Sequence, residues 1–271
     1  MIAFQRDGLT VFQSALWKTT SSVIETNDLI LVVDPTWLPL EVKEIQEHVA
    51  HIRNGKDVYL LFTHGDFDHI IGYHAFPDAK VIGSKGMQEH PRKQYKLDLI
   101  QSFDNEYYVE RPYNIEFPTI DIVIEKDGQQ IVVGNTTITF YSSPGHTHDG
   151  LFTIIEPLGI WITGDYLSDF ELPYLFDSAK AYLETLQKAR MIVDSHSVEV
   201  LVPGHGQATE SKAEMTRRIE LAQNYLDRLI DAVIRDDAEE ILGLENEMSF
   251  TSNFTKGCHE ENVAIIKKEY R

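Results

Sequence analysis

Residues 63–69 of the chain read THGDFDH, and this is the most informative segment of the sequence. It directly follows the apolar run 58–62, which is typical of a strand covered on both faces. The segment is therefore expected on a loop at the carboxyl end of a buried strand. Its histidines and aspartates are side chains that bind zinc, iron or manganese at neutral pH. These residue types also favour turns and helix caps, so the interpretation of this loop as a metal site needs evidence from other parts of the chain.

Three other strand-like segments end in the same way. Each is followed by a histidine or aspartate with glycine beside it: His146 after 136–141, Asp165 after 160–163 and His205 after 198–202. Glycine at these positions lets the backbone approach neighbouring groups closely. Four strand ends that present metal-binding side chains together indicate a metal site where those ends meet.

In order and residue type, the four groups resemble the metallo-β-lactamase superfamily. The resemblance spans His64 to His205 and implies an α/β fold, a four-layer αββα sandwich. It also implies two divalent metal ions, of which zinc is the expected one. The implied ligands are His64, Asp66 and His146 for the first metal, Asp68, His69 and His205 for the second, and Asp165 as a bridge between both. Asp68 and Asp165 are then the expected catalytic carboxylates.

Asp66 departs from the family pattern, which is His-x-His-x-Asp-His. A carboxylate at this position adds negative charge and a hard oxygen ligand, so iron or manganese become alternatives to zinc. A competing interpretation is that Asp66 caps the helix that follows and contacts no metal.

Two further residues are candidates for supporting positions around the metals. His148, two residues after His146, is a candidate partner of a ligand or a proton shuttle. Asp34, at the end of the strand-like segment 29–33, resembles a family aspartate that orients a ligand or loop. The alternative for Asp34 is a simple turn that ends the strand.

The whole chain, 1–271, is expected to form one domain. The segment at about 84–119 is expected to be an irregular insert whose aromatic side chains either fill a satellite core or cap the active site. The insert also contains three basic residues that fit a solvated surface as well as a substrate-recognition site: Arg92, Lys93 and Lys96. From about residue 208 onward, apolar positions at helical spacing predict a helical C-terminal extension.

Composition limits the classes of partner. With 43 acidic residues against 24 lysines and arginines, the formal charge is −19, which disfavours nucleic acids and anionic membranes. The apolar runs are too short to cross a bilayer, and the first residues do not resemble a secretory signal. The single cysteine, Cys258, cannot form an internal disulfide. We therefore expect a cytoplasmic protein that acts on a small molecule, and its oligomeric state is left open.

Two functions fit these observations. The first is a dinuclear metal-dependent hydrolase that uses a metal-bridging hydroxide on a small-molecule ester-type bond, such as a lactone, thioester or phosphodiester. The second is a diiron redox protein that binds or reduces oxygen or nitric oxide, and Asp66 favours it. The redox function needs an electron source, yet the sequence has neither a flavin motif nor a cysteine cluster.

Overall fold

Short runs rich in valine, isoleucine and leucine build two β-sheets in the computed structural model, which describes residues 1–247 and 249–271. The first sheet contains seven strands in chain order: β1 (Ile2–Arg6), β2 (Leu9–Gln13), β3 (Thr20–Glu25), β4 (Leu29–Val33), β5 (Asp57–Leu61), β6 (Lys80–Ser84) and β7 (Ile122–Ile124). The second sheet has the order β12-β11-β10-β9-β8: β8 (Gln129–Val133), β9 (Thr136–Ser142), β10 (Leu151–Glu156), β11 (Ile160–Ile162) and β12 (Val200–Val202).

The two sheets pack face to face around an apolar core. Leu31 and Leu61 from the first sheet and Phe140 and Ile162 from the second belong to this core. Strands β4 to β7 run parallel to one another, as do β11 and β12. All five residues of β4 are buried, because the second sheet covers one face of the strand and helices cover the other.

Helices form the two outer layers. The first sheet is covered by α1 (Pro39–Ile52), α2 (Phe67–Ile70), α3 (Lys85–Gln88) and α4 (Lys93–Tyr107). The second sheet is covered by α5 (Ala179–Ser195), α6 (Lys212–Arg235), α7 (Ala238–Asn246) and α8 (Asn253–Tyr270). The layer order confirms the predicted α/β sandwich of αββα type. Among the described residues, no helix is both long and apolar enough to cross a membrane.

The insert at 84–119 is less irregular than predicted, because its centre is the 15-residue helix α4. Leu97, Ile100 and Phe103 follow a helical spacing and pack on the core between the first sheet and its helices. These side chains therefore extend an existing core and do not form a satellite one. Tyr107 and Tyr108, at the end of α4, are exposed, and the ring of Tyr107 packs on Phe103 with 4.6 Å between ring centroids.

Cys258 in α8 is 4% exposed. Burial raises the pKa of its thiol from 9.0 to about 12, and the nearby carboxylates of Glu171 and Glu261 add to the effect. The reactive thiolate is therefore rare at neutral pH. We expect almost no reaction with a disulfide reagent until denaturant is added, when one thiol per chain should react. Rapid labelling of the native protein would contradict this burial.

Candidate metal centre

The loops after β5, β9, β11 and β12 converge at one end of the sandwich. Parallel strands place their carboxyl ends at the same edge of a sheet, and ligands usually bind there. The loops are also bonded to one another, since the Gly204 N–H donates to the Gly164 carbonyl oxygen over 2.6 Å. A Cβ atom at Gly204 would lie only 2.2 Å from Asp165 Oδ1, so the close approach requires glycine.

The first implied ligand group is assembled from two loops. Asp66 Oδ2 lies 3.9 Å from His64 Nε2 and 3.6 Å from His146 Nε2. All three side chains are buried, and their ligand atoms lie within 4.8 Å of one another. The spacing leaves room for one cation among the three.

The second group has the same form. Asp68 Oδ2 lies 3.7 Å from His69 Nε2 and 3.5 Å from His205 Nε2. These three ligand atoms also lie within 4.8 Å of one another. The structure thus brings all six of these side chains together in the two groups expected from the resemblance.

Asp165 lies between the two groups. Its Oδ2 atom is 3.2 Å from His146 Nε2 and 3.3 Å from His205 Nε2, so one oxygen faces both groups. Its Oδ1 atom is 3.0 Å from His69 Nε2. This position is suited to a carboxylate shared by two cations.

Each of the four histidines has Nε2 at the centre and makes a separate polar contact through Nδ1. The Nδ1 contacts are His64 with Thr63 Oγ1 (3.0 Å), His69 with Asp34 Oδ2 (2.9 Å), His146 with the Tyr174 carbonyl (2.8 Å) and His205 with the Trp17 carbonyl (2.9 Å). The carbonyl and carboxylate acceptors require the proton on Nδ1, which leaves the Nε2 lone pair facing the centre. All four rings are therefore oriented as metal ligands.

Several polar atoms at the centre have no hydrogen bond of acceptable geometry. They are the Nε2 atoms of His64, His69 and His146 and the Oδ1 atom of Asp165, and all are buried. A buried polar atom without a partner costs about 1–3 kcal/mol, so such atoms are rare in folded proteins. Cations bound by these nitrogens and oxygens would satisfy them, and the donor set therefore fits two divalent metal ions.

The charges of the metal-free cluster compensate one another. Burial alone lowers the pKa of His146, but the nearby carboxylates of Asp165 and Asp66 outweigh it and raise this pKa to about 10. The pKa of His205 is also raised to about 10, because the charges of Asp165 and Glu171 outweigh the effect of burial. In the metal-free chain these histidines hold protons, which a bound cation must displace.

Asp34 supports two ligands at once. Its Oδ1 accepts from the Thr63 N–H (2.9 Å), and its Oδ2 accepts from the Thr63 hydroxyl (2.6 Å) and from His69 Nδ1 (2.9 Å). The Thr63 hydroxyl oxygen then faces His64 Nδ1. These contacts favour the ligand-orienting interpretation of Asp34 over that of a simple turn.

His148, a candidate for a supporting position, contacts none of the implied ligands among the described residues. It is exposed, and its ring packs against His90 with 5.0 Å between ring centroids. The next residue, Asp149, takes the buried position instead, and its Oδ2 accepts from the Gly65 N–H (2.9 Å). Asp149 thus holds the loop that carries the first ligands, a role that the sequence analysis missed.

Asp66 does not cap α2, because its side chain makes no capping hydrogen bond although it occupies the N-cap position. Its Oδ1 instead accepts from Lys96 of α4 in a close ion pair, while Oδ2 faces His64 and His146. Burial alone raises the pKa of Asp66, yet His146 and Lys96 lower it well below the usual range. A carboxylate paired with an ammonium group has no net charge, as a neutral histidine has none. Lys96 therefore offsets the extra negative charge expected from Asp66.

We expect the substitution Asp66→Ala to lower the number of bound metal ions from two per chain to about one. Changes to groups that merely support ligands reduce metal affinity about 10–100-fold, and loss of a ligand should cost at least as much. Elemental analysis after dialysis measures the result. Asp98→Ala, on the exposed side of α4, is the matched control and should retain both ions. Full metal content in Asp66→Ala would refute the ligand role.

A cavity of about 390 Å³ opens over the two ligand groups. Asp66, Asp68, Asp165, His146 and His205 lie on its wall with residues of α4, including Arg92 and Lys96. The insert therefore contributes to the site, as the cap interpretation requires. Glu171 also lines the cavity, and burial raises the pKa of its carboxyl group to about 7, with Asp165 and Asp68 adding and His205 opposing.

Arg218 of α6 forms hydrogen bonds with two of the loops that carry implied metal ligands. Its side chain is 3% exposed, and its Nη1 donates to the carbonyls of Leu167 (3.1 Å) and Gln207 (2.8 Å). These residues lie two positions after Asp165 and His205. No local motif marked Arg218, because its partners are distant in the sequence.

Comparisons with known proteins agree with this geometry. The sequence profile of the metallo-β-lactamase superfamily matches residues 15–205. No curated protein matches the chain. Among solved structures, a metallo-β-lactamase family protein from Thermus thermophilus superposes with a TM-score of 0.66 at 17% identity, over 97% of this chain and 94% of that one.

Two other solved structures share the fold. A metallo-β-lactamase from Pontibacter korlensis has a TM-score of 0.58 at 16% identity, over 83% of this chain and 99% of that one. The stereoselective inverting sec-alkylsulfatase of a Pseudomonas species has a TM-score of 0.70 at 12% identity, over 98% of this chain and 49% of that one. Because the profile covers more than half of the sequence and the fold agrees throughout, the chain belongs to the metallo-β-lactamase superfamily.

Proposed function

We propose that the protein is a dinuclear metal-dependent hydrolase that acts on an ester-type bond of a small molecule, such as a lactone, thioester or phosphodiester. One observation carries the proposal: two groups of buried His and Asp ligands share the single carboxylate of Asp165. When bound, two divalent cations supply the Lewis acidity and the hydroxide nucleophile for such a reaction.

Residues of the chain hold the implied ligands in position before substrate binds. Asp34, Thr63 and the carbonyl of Trp17 fix the histidine rings, so little reorganisation is needed when substrate binds. Asp68 and Asp165 line the cavity, which supports Asp165 as the shared ligand and Asp68 as the carboxylate that orients the attacking water. Glu171 also lines the cavity, and the burial that raises the pKa of its carboxyl group supports a role as proton donor to the departing group.

The structural relatives support hydrolysis in general and do not select a bond. The solved structures are named as metallo-β-lactamases and as a sec-alkylsulfatase. The ester-type bond and zinc are therefore proposed from the ligand set of this chain and not from the names of these structures. The diiron redox alternative was favoured by the negative charge of Asp66, and its pairing with Lys96 weakens that argument.

We further propose that the substrate is a small molecule in the cytoplasm, not a nucleic acid or a membrane surface. The formal charge of −19 supports this, since phosphate backbones and anionic lipids are repelled. The single cysteine is consistent with a reducing compartment.

Metal analysis combined with a substrate panel tests the proposal. We expect two zinc or manganese ions per chain after purification, and hydrolysis of at least one lactone, thioester or phosphodiester. The substitutions His69→Ala and His205→Ala should each remove about one ion and nearly all activity. His51→Ala, on the exposed end of α1, is the control and should change neither. Two iron ions with an oxygen-sensitive visible spectrum and no hydrolysis would support the redox function instead.

A further inference from the structure

The wall of the metal cavity is unusually rich in accessible aromatic surface. Trp17, Phe176 and Phe254 are 36%, 45% and 47% exposed, although large apolar side chains are normally covered. Trp17 stacks on Phe254 with 5.4 Å between ring centroids and contacts Phe67 edge-on at 5.7 Å. Such a preformed apolar wall beside a few polar groups is typical of a small-molecule site. An apolar group of the ligand would cover these rings.

The same cavity contains an arginine without an ionic partner. Among the residues that the structure describes, Arg92 has no carboxylate within 4.0 Å of its guanidinium group, which lies 4.0 Å from the centroid of the Tyr95 ring. Lys96, the other cation of this wall, is already paired with Asp66. Arg92 lines the cavity and is exposed to solvent, so its guanidinium group is accessible to an anion of the ligand.

Arg92 and Lys96 occupy different positions along the cavity wall. Arg92 is the N-cap residue of α4, and Lys96 follows four residues later, about one helical turn or 6 Å along the axis. Lys96 contacts Asp66 in the first ligand group. A ligand that reaches from the ligand groups to Arg92 would therefore present its anionic group to the start of α4, on the wall of the same cavity.

From these features we propose that the substrate combines an apolar body, which packs against Trp17 and Phe254, with one anionic group that binds Arg92. The inference rests on the proposed hydrolase function and names its substrate class. A carboxylate accepts two parallel N–H bonds from a guanidinium group, so a carboxylate is a suitable probe of this position.

A probe that cannot be hydrolysed tests the binding directly. 4-Hexyloxybenzoate carries an apolar chain and a carboxylate, and its methyl ester has the same shape without the charge. Trp17 fluorescence reports binding, because Trp37 and Trp161 are fully buried; Trp17→Phe should abolish the signal. We expect the carboxylate to bind about tenfold more tightly than the methyl ester.

Two variants separate Arg92 from general electrostatics. Arg92→Gln should remove the preference for the carboxylate, whereas Lys93→Gln, which removes the adjacent charge outside the cavity, should retain it. Equal affinities for the two probes in the unmodified protein would overturn the proposal. A preference that persists in Arg92→Gln would also overturn it, because the carboxylate would then bind elsewhere, for example at the metal ions.

A second measurement separates this inference from the function on which it rests. In hydrolysis of 4-hexanoyloxybenzoate and its methyl ester, we expect about tenfold lower KM for the anion with similar kcat, and loss of the difference in Arg92→Gln. Hydrolysis of both esters with the same KM supports the hydrolase and contradicts the anion site. Carboxylate binding through Arg92 without hydrolysis of either ester retains the site and counts against ester hydrolysis.

Discussion

The substitution Asp165→Asn is expected to abolish hydrolysis and to reduce the metal content at both sites. Asp165 is the only side chain whose oxygens lie within 4 Å of all four ligand histidines among the described residues. A neutral amide of equal size keeps the packing but cannot supply the shared negative charge. Since indirect support of a ligand is worth about 10–100-fold in affinity or activity, loss of the shared carboxylate should exceed 100-fold in activity.

Elemental analysis, turnover and circular dichroism together measure this effect. Asp57→Asn is the matched control, because Asp57 lies at the start of β5, at the opposite end from His64, and forms only an exposed pair with Lys80. The control should keep the metal ions and the activity, and both variants should keep the fold. Two tightly bound ions in Asp165→Asn would show that the sites are independent of the bridge.

Among the substitutions considered, Arg218→Met is expected to cause the largest loss of stability. It would leave the carbonyls of Leu167 and Gln207 without their buried donor and Glu214 with one partner fewer. The bond to Leu167 is buried and the bond to Gln207 is partly buried. An unsatisfied buried acceptor costs about 1–3 kcal/mol, so we expect the free energy of unfolding to fall by about 1–3 kcal/mol. The loops that carry Asp165 and His205 also lose their common anchor, so metal affinity should fall with stability.

Arg217→Met is the control for this change. Arg217 is the neighbouring residue and also pairs with Glu214, but its side chain is 48% exposed. Exposed ion pairs contribute about 0–1 kcal/mol, so the control should be nearly as stable as the unmodified protein. Urea unfolding and metal titration of both variants make the comparison. Similar losses in the two would mean that Arg218 acts only through Glu214, and not through the two loops.

The fold and the ligand types could be predicted because their signals are local. An apolar run such as 58–62 predicts a buried strand from a few adjacent residues, and the His and Asp residues that follow it mark the strand end. The predicted αββα sandwich is confirmed by the layers and by the superfamily match. The short motif did not distinguish His146, which is buried at the centre, from His148, which is exposed, or reveal that Asp149 is buried.

By itself the sequence determined which side chains can bind metal and that they follow strands, because both properties depend on residue type and short-range periodicity. Only the tertiary structure decided what surrounds them. Lys96 meets Asp66 across 30 residues, and Arg218 meets Leu167 across 51, so no local pattern reports either contact. Such contacts follow from how helices pack on the sheets: α4 carries Lys96 and Arg92 to the cavity, and α6 places Arg218 behind the loops. For that reason the net charge of the first ligand group and the set of side chains that line the cavity became apparent only in the folded chain.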